Sequence, residues 1–212
     1  VDKHNINDYN AAMQLSSYII QISGVVIPVA DDTSAPQAEE IIIGNNKHAT
    51  DLHINTSKAA DNSCIIKTSG NTLFLYGNDD NNSSANCVFY FAEKYLGCTV
   101  LSSDVSIIPH LKTIKISSIN ENYSSPFSYR DVYYNDTYDS LYTAFNRINH
   151  FNAGGQNRKW GEIWSSSFNY VLPQKKYFQA HPEWFALDQN GKRIPNQLDL
   201  TNENMFKEYV KN

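Results

Sequence analysis

All three tryptophans of the chain, Trp160, Trp164 and Trp184, fall within one stretch of 25 residues, in loop or turn surroundings. An indole face stacks on the C–H face of a pyranose ring and its N–H reaches a hydroxyl, so Trp160 and Trp164 are candidates for a sugar platform. Trp184 is expected instead to pack with Phe185 beneath a hairpin. That hairpin is "HPEWFALDQNGKR", His181 to Arg193, whose Asn190-Gly191 pair sets the turn because glycine accepts positive φ. Pro182 biases His181 towards extended backbone, aiming the imidazole away from any helix. Two roles then stay open for His181, contact with a substrate or capping of the hairpin.

The surface chemistry that the composition offers is neutral. The chain has 25 Asn and 14 Tyr but only 18% charged residues, a mixture of amides and amphipathic rings that suits neutral polar ligands such as sugars. A net charge of -5 with no run of Lys or Arg argues against a nucleic-acid partner, since phosphates need clustered cations. Apolar runs such as Ile41-Ile42-Ile43 are too short to span a bilayer, and Val1 starts no signal-peptide pattern, so a soluble chain relieved of any export signal is expected. Cys64, Cys87 and Cys98 lack C-x-x-C spacing, which speaks against a disulfide scaffold or zinc knuckle and for buried thiols at Cys87 and Cys98. His48 and His53 have no carboxylate or Cys at ligand spacing and read as surface residues. Without a phosphate loop, a G-x-S-x-G elbow or an H-E-x-x-H helix, no metal and no cofactor is expected.

The elements that must position these residues follow from periodicity. A helix is expected from Asn7, with Asn7 or Asp8 as cap, Ala12, Leu15, Ile19 and Ile22 inward, and Gly24 as its end. Strands are expected at 25–29 and 39–44, a hairpin over 63–77 turning at Ser69-Gly70-Asn71, a second helix from Ala85 to Gly97, and strands at 98–101 and 113–117. This predicts an α/β domain over residues 1–118, a sheet with helices packed on it, followed by a linker at 119–126. Beyond Pro126 the pattern is strand (127–134), helix with Leu141, Phe145 and Ile148 inward, short helix, hairpin, strand at "QLDLT" and helix. That is how a (β/α) TIM-type barrel begins, and 127–212 supplies only part of one. Exposed strand edges in such a fragment predict self-association.

The stretches "SYIIQISGVVIPV", "EIIIG", "ANCVFYFAEKYLGCTVL", "PFSYRD", "YFQAHPEWFALDQNGKR" and "QLDLTN", in this order, together resemble the domain-of-unknown-function 4838 family. That layout is similar to family 20 hexosaminidases and family 67 α-glucuronidases, a small α/β domain ahead of a glycoside-hydrolase-like barrel. The resemblance implies a secreted, periplasmic or outer-surface bacterial protein with a carbohydrate partner, handling polysaccharide or glycoconjugate sugars. It also implies that Arg130, at the end of the first barrel strand and next to Asp131, holds sugar hydroxyls. An internal Arg130–Asp131 pair is the competing reading, since a guanidinium fork suits either acceptor. Two positions depart from the family pattern: Ser166 stands where relatives tend to have His, and Asp199 where they tend to have Cys.

Glycoside hydrolysis needs two carboxyl groups across the scissile bond, one protonated and one ionised. In the barrels this chain resembles, that pair lies on later strands. Asp131, Asp136, Asp139, Glu162, Glu183 and Asp188 are the carboxylates available in the barrel half, and none is singled out by its spacing. Two functions therefore stand side by side: the N-terminal portion of a glycoside-hydrolase-like protein whose catalytic carboxylates lie outside this chain, and a carbohydrate-binding protein on a degenerate hydrolase scaffold. Arg130, Asp131, Trp160, Trp164 and His181 are the expected substrate contacts.

Overall fold

Asn5 opens the first regular element. Its side chain accepts the Asp8 amide, and the helix α1 runs Ile6–Ser23 until Gly24 turns left-handed at φ 75° and returns its N–H to Ile20 O. Ala11, Ala12, Leu15, Tyr18, Ile19 and Ile22 form its buried stripe. The computed structural model describes residues 1–54, 56, 59–60, 62–78, 84–127, 130–132, 135–148 and 168–212, and the chain divides into two units, 1–156 and 157–212.

The first unit is a sheet with helices on both faces. After α1 come β1 (Glu40–Ile43), α2 (Lys47–Asp51), β2 (Ser63–Ser69), β3 (Thr72–Asn78), α3 (Ala85–Leu96), β4 (Thr99–Val100), β5 (Ser106–Ile107) and β6 (Asn120–Ser124). A 3-10 turn, Asn135–Tyr138, then leads to α4 (Ser140–Phe145), capped by Asp139, whose side chain accepts the Tyr142 amide. Four strands pair in the order β1-β3-β2-β6, with β1 parallel to β3 and the other pairs antiparallel. Strand alternation sends Ile43, Cys64, Ile66, Leu73 and Leu75 to the face covered by α1 and α3. Ile42 and Phe74 turn to the other face, where Ala49 of α2 meets them.

Several expectations need correction. Residues 25–29 and 113–117 form no strand, and Val25 and Val26 are exposed. The pair β4 and β5 makes a separate two-stranded ribbon. The stretch expected as a linker, 119–126, instead contains β6, which pairs with β2 from Asn120 to Ser124. Nor does the first core close at Ser118: Phe145 of α4 is 2% exposed and packs edge-on against Tyr18 of α1 and tilted against Phe89 of α3. Ile148 adds to that core as expected, but Leu141 faces solvent. Cys87 is not a free thiol; it is bonded to Cys64, tying α3 to β2, while Cys98 is free and buried. Of the strand expected at 127–134, Phe127 and Arg130 to Val132 are irregular, and the remaining positions lie outside the described residues.

The second unit contains α5 (Phe168–Val171), α6 (Gln174–Tyr177), a 3-10 turn (Pro182–Trp184), β7 (Phe185–Leu187), β8 (Arg193–Leu198) and α7 (Glu203–Lys211). Strands β7 and β8 are antiparallel, and Leu172, Tyr177, Trp184, Phe185, Leu198 and Met205 make its core. The strand expected at "QLDLT" starts earlier and stops at Leu198. The chain is thus a mixed α/β protein, and no closed barrel is formed among the described residues. None of their helices is long and apolar enough to cross a membrane.

One carboxylate fastens the edge strand β6 to α3. Glu121 accepts from Lys94 Nζ and Tyr90 OH, each at 2.6 Å, and from Tyr95 OH. Tyr90 also stacks on Tyr123, two residues along β6, with centroids 4.3 Å apart. Burial pushes the Glu121 carboxyl up, but the three donors outweigh it and hold the group down at about 2.

Two outcomes are expected. A chain ending at Ser118 lacks β6 and Phe145 and should melt without cooperativity, whereas residues 1–156 should melt cooperatively; in the longer chain Phe145→Ala should cost roughly 3 to 5 kcal/mol by chemical denaturation. Because the folded-state value of Glu121 lies below the unfolded one, its contribution is present above about pH 4.5 and is lost as pH falls towards about 2. Urea titrations across that window should show Glu121→Gln flattening the acid limb of the stability curve; an unchanged slope would remove Glu121 from the account.

Candidate functional site

The hairpin unit gathers the polar and aromatic residues singled out above. His181 precedes the 3-10 turn Pro182–Trp184 with φ -137° and ψ 62°, outside the helical region but short of the extended backbone expected ahead of the proline. Its imidazole lies flat over the Trp184 indole, centroids 4.0 Å apart and planes 8° apart. Its Nδ1 sits 3.2 Å from Glu183 Oε1. Trp184 is 8% exposed and stacked also on Tyr177, so the indole is a core residue that supports the imidazole from below. His181 and Glu183, at 43% and 53% side-chain exposure, are the solvent-facing members. A hydrogen bond from its own backbone and the His181 contact hold the Glu183 carboxyl below its ordinary value, keeping it an acceptor.

The rest of the motif builds this platform. Asp188 Oδ1 accepts the Asn190 and Lys192 amides, both at 2.8 Å, and Gly191 takes φ 74° while its N–H returns to Asp188 O. The turn expected at Asn190-Gly191 is therefore a five-residue loop organised by Asp188, with positive φ at Gly191 only. Arg193 donates through Nη1 to Phe185 O at 2.5 Å and to Asp199 Oδ2 at 3.1 Å, bracing one end of the hairpin. Asp199 in turn accepts from Thr201 N and Oγ1, and Thr201 rather than Arg193 is the larger cause of its lowered carboxyl value. Asn202 caps α7, and its Nδ2 donates to Glu183 O at 3.1 Å, fixing the backbone under the Glu183 side chain. The readings above missed Asp199, Thr201 and Asn202 as supports; the short Asp-x-Thr-Asn run ahead of a helical pattern is the signal that marks such a turn and cap.

The other candidates fall elsewhere. Arg130 and Asp131, both half-buried, belong to the first unit. Arg130 donates through Nε to Arg147 O (2.6 Å), through Nη1 to Phe127 O (2.7 Å) and through Nη2 to Asn62 Oδ1 (3.3 Å). Trp160, Trp164, Glu162 and Ser166 lie outside the described residues. Among the remaining carboxylates, Asp136 Oδ1 accepts the Ser103 amide and Asp139 caps α4, so both serve local backbone. His48 is not a surface residue: its side chain is 11% exposed, with Nδ1 3.1 Å from Glu40 Oε2. No group of three or more His, Cys, Asp or Glu able to hold a metal is found among the described residues.

A family model described as "Domain of unknown function (DUF4838)" matches residues 100–212. No curated protein and no solved structure matches the chain.

The Arg130 contacts lead to a definite expectation. Arg130→Lys keeps the charge but loses the fork that reaches the carbonyls of Phe127 and Arg147, so stability should fall by about 1 to 3 kcal/mol in denaturant titrations. A melting midpoint equal to that of the parent would show that these contacts contribute nothing.

Proposed function

The chain belongs to the DUF4838 family, and we propose from that footing that it is the N-terminal portion of a glycoside-hydrolase-like protein acting on polysaccharide or glycoconjugate sugars. The observation that carries this reading is the exposed imidazole of His181, held flat by the buried Trp184 with the Glu183 carboxylate at its side. A rigid π-face beside a strong acceptor suits a pyranose, whose C–H face covers the ring while an adjacent hydroxyl donates to the carboxylate. In this reading residues 127–212 are the start of a (β/α) barrel, and Arg130, Asp131, Trp160 and Trp164 are further candidate carbohydrate contacts. The surface rich in Asn and Tyr supports a neutral ligand. The Cys64–Cys87 bond supports a location outside the reducing cytoplasm, secreted, periplasmic or on the outer surface.

A second reading, a carbohydrate-binding protein that has lost the chemistry, is favoured by one observation: Asp136, Asp139 and Asp188 each hold backbone amides of their own surroundings. Turnover of aryl glycosides by the full-length protein separates the two.

Binding itself is tested on a glycan array followed by calorimetry on the best ligand. His181→Ala should weaken binding about tenfold, the worth of roughly one hydrogen bond with its ring contact, with unchanged far-UV circular dichroism. Retention of no glycan by the natural chain, or equal affinity in the variant, would sink the proposal.

A further inference from the structure

Between α1 and the edge strand β1 lies a cavity of about 240 Å³. Leu15 and Ile19 from α1 and Ile41 and Ile43 from β1 make its floor, and Ile27 and Val29 belong to its cover. That cover is the irregular segment 25–39, which contributes no strand and is mostly exposed. It is held at its margins by hydrogen bonds. Ser16 Oγ donates to Ile27 O at 2.7 Å, the Val1 nitrogen donates to Ala30 O at 3.2 Å, and the Lys47 amide donates to Asp32 Oδ2 at 3.0 Å. His48 closes the far end, with Nε2 3.0 Å from Ser34 O while its Nδ1 faces Glu40.

The pocket is partly open to solvent and its lining is mostly apolar; an apolar cavity of about 150 Å³ already accepts benzene. Asp31, Glu39 and Glu40 line the rim and disfavour an anion. We propose that this pocket is a binding site for one small, neutral, predominantly apolar molecule, of the size of indole or a branched hydrocarbon, which enters from its open side. The site is independent of the carbohydrate reading and of the hairpin unit.

Indole and p-xylene are the probes, used with the whole 212-residue chain. Each should raise the melting temperature saturably and shift the methyl resonances of Leu15, Ile19 and Ile41. Ala12→Leu places an isobutyl group in the cavity lining, and should weaken indole binding at least tenfold in a chain that is folded by circular dichroism. His48→Ala loosens the cover and should speed indole release several-fold. Should Ala12→Leu not fold, xenon on the natural chain decides the matter: induced shifts at the Leu15, Ile19 and Ile41 methyls support the site, and their absence overturns it. Absence of any probe-induced shift, or equal indole affinity in folded Ala12→Leu, overturns it as well.

Discussion

The first unit depends on where one carboxylate sits. Asp8 is 5% exposed, and its Oδ1 accepts the Ser84 amide at 2.6 Å, at the head of α3, while Oδ2 accepts Asn5 Nδ2 at 2.9 Å, at the head of α1. A Cβ on Gly44 would overlap the same carboxylate, so the residue leaving β1 must be glycine, and its φ of 81° agrees. Gly44 in turn donates to Leu75 O at 2.9 Å, carrying the parallel register of β1 and β3 past the end of the strand. The starts of two helices and the end of one strand are thus fixed on a single side chain. Burial raises the Asp8 carboxyl above its ordinary range, and the hydrogen bonds from Ser84 offset only part of that rise.

From that anchor the order of the sheet follows. With α1 and α3 both starting at Asp8, their apolar stripes lie over the same sheet face, and that face is the one lined by Ile43, Cys64, Ile66, Leu73 and Leu75. The Cys64–Cys87 bond and the Glu121 cluster act at two further points of the same layer, the first on the central strand β2 and the second on the edge strand β6. Phe145 fills the space left between Tyr18 and Phe89, which is why the core extends into sequence that periodicity assigns to the next domain.

Local signals were legible where a local cause decides the structure. The 3-4 spacing of Ala12, Leu15, Ile19 and Ile22 with a terminal Gly24, the hairpin around Gly70, and Gly97 at the end of α3 all rest on contacts within a few residues. Pairing partners were not legible. The run Val25-Val26-Ile27-Pro28-Val29 is apolar enough for a strand, but a strand needs a neighbour, and this segment is held instead by isolated bonds such as that from Ser16 Oγ to Ile27 O. Conversely "NENYS" is polar in composition and reads as a linker. It forms β6 because alternate residues, Glu121 and Tyr123, find donors and a stacking partner on α3, contacts some 26 to 33 residues back along the chain.

The candidate site divides along the same line. Pro182 keeps the backbone of His181 out of the helical region, and the Asp188 loop follows from Asp, Asn and Gly in sequence, so the shape of the motif is local. Trp184 is buried as expected of a residue packed beneath the hairpin, but the partners that bury it are not local. Trp184 becomes core through Tyr177 on one α-helix and Met205 on another, elements whose meeting no spacing in the sequence announces. Once Trp184 is buried, the residue that inherits its outward face is His181, the ring stacked upon it, and Glu183 is the acceptor within its reach. Trp184 thus serves as the rigid surface on which the His181 imidazole rests.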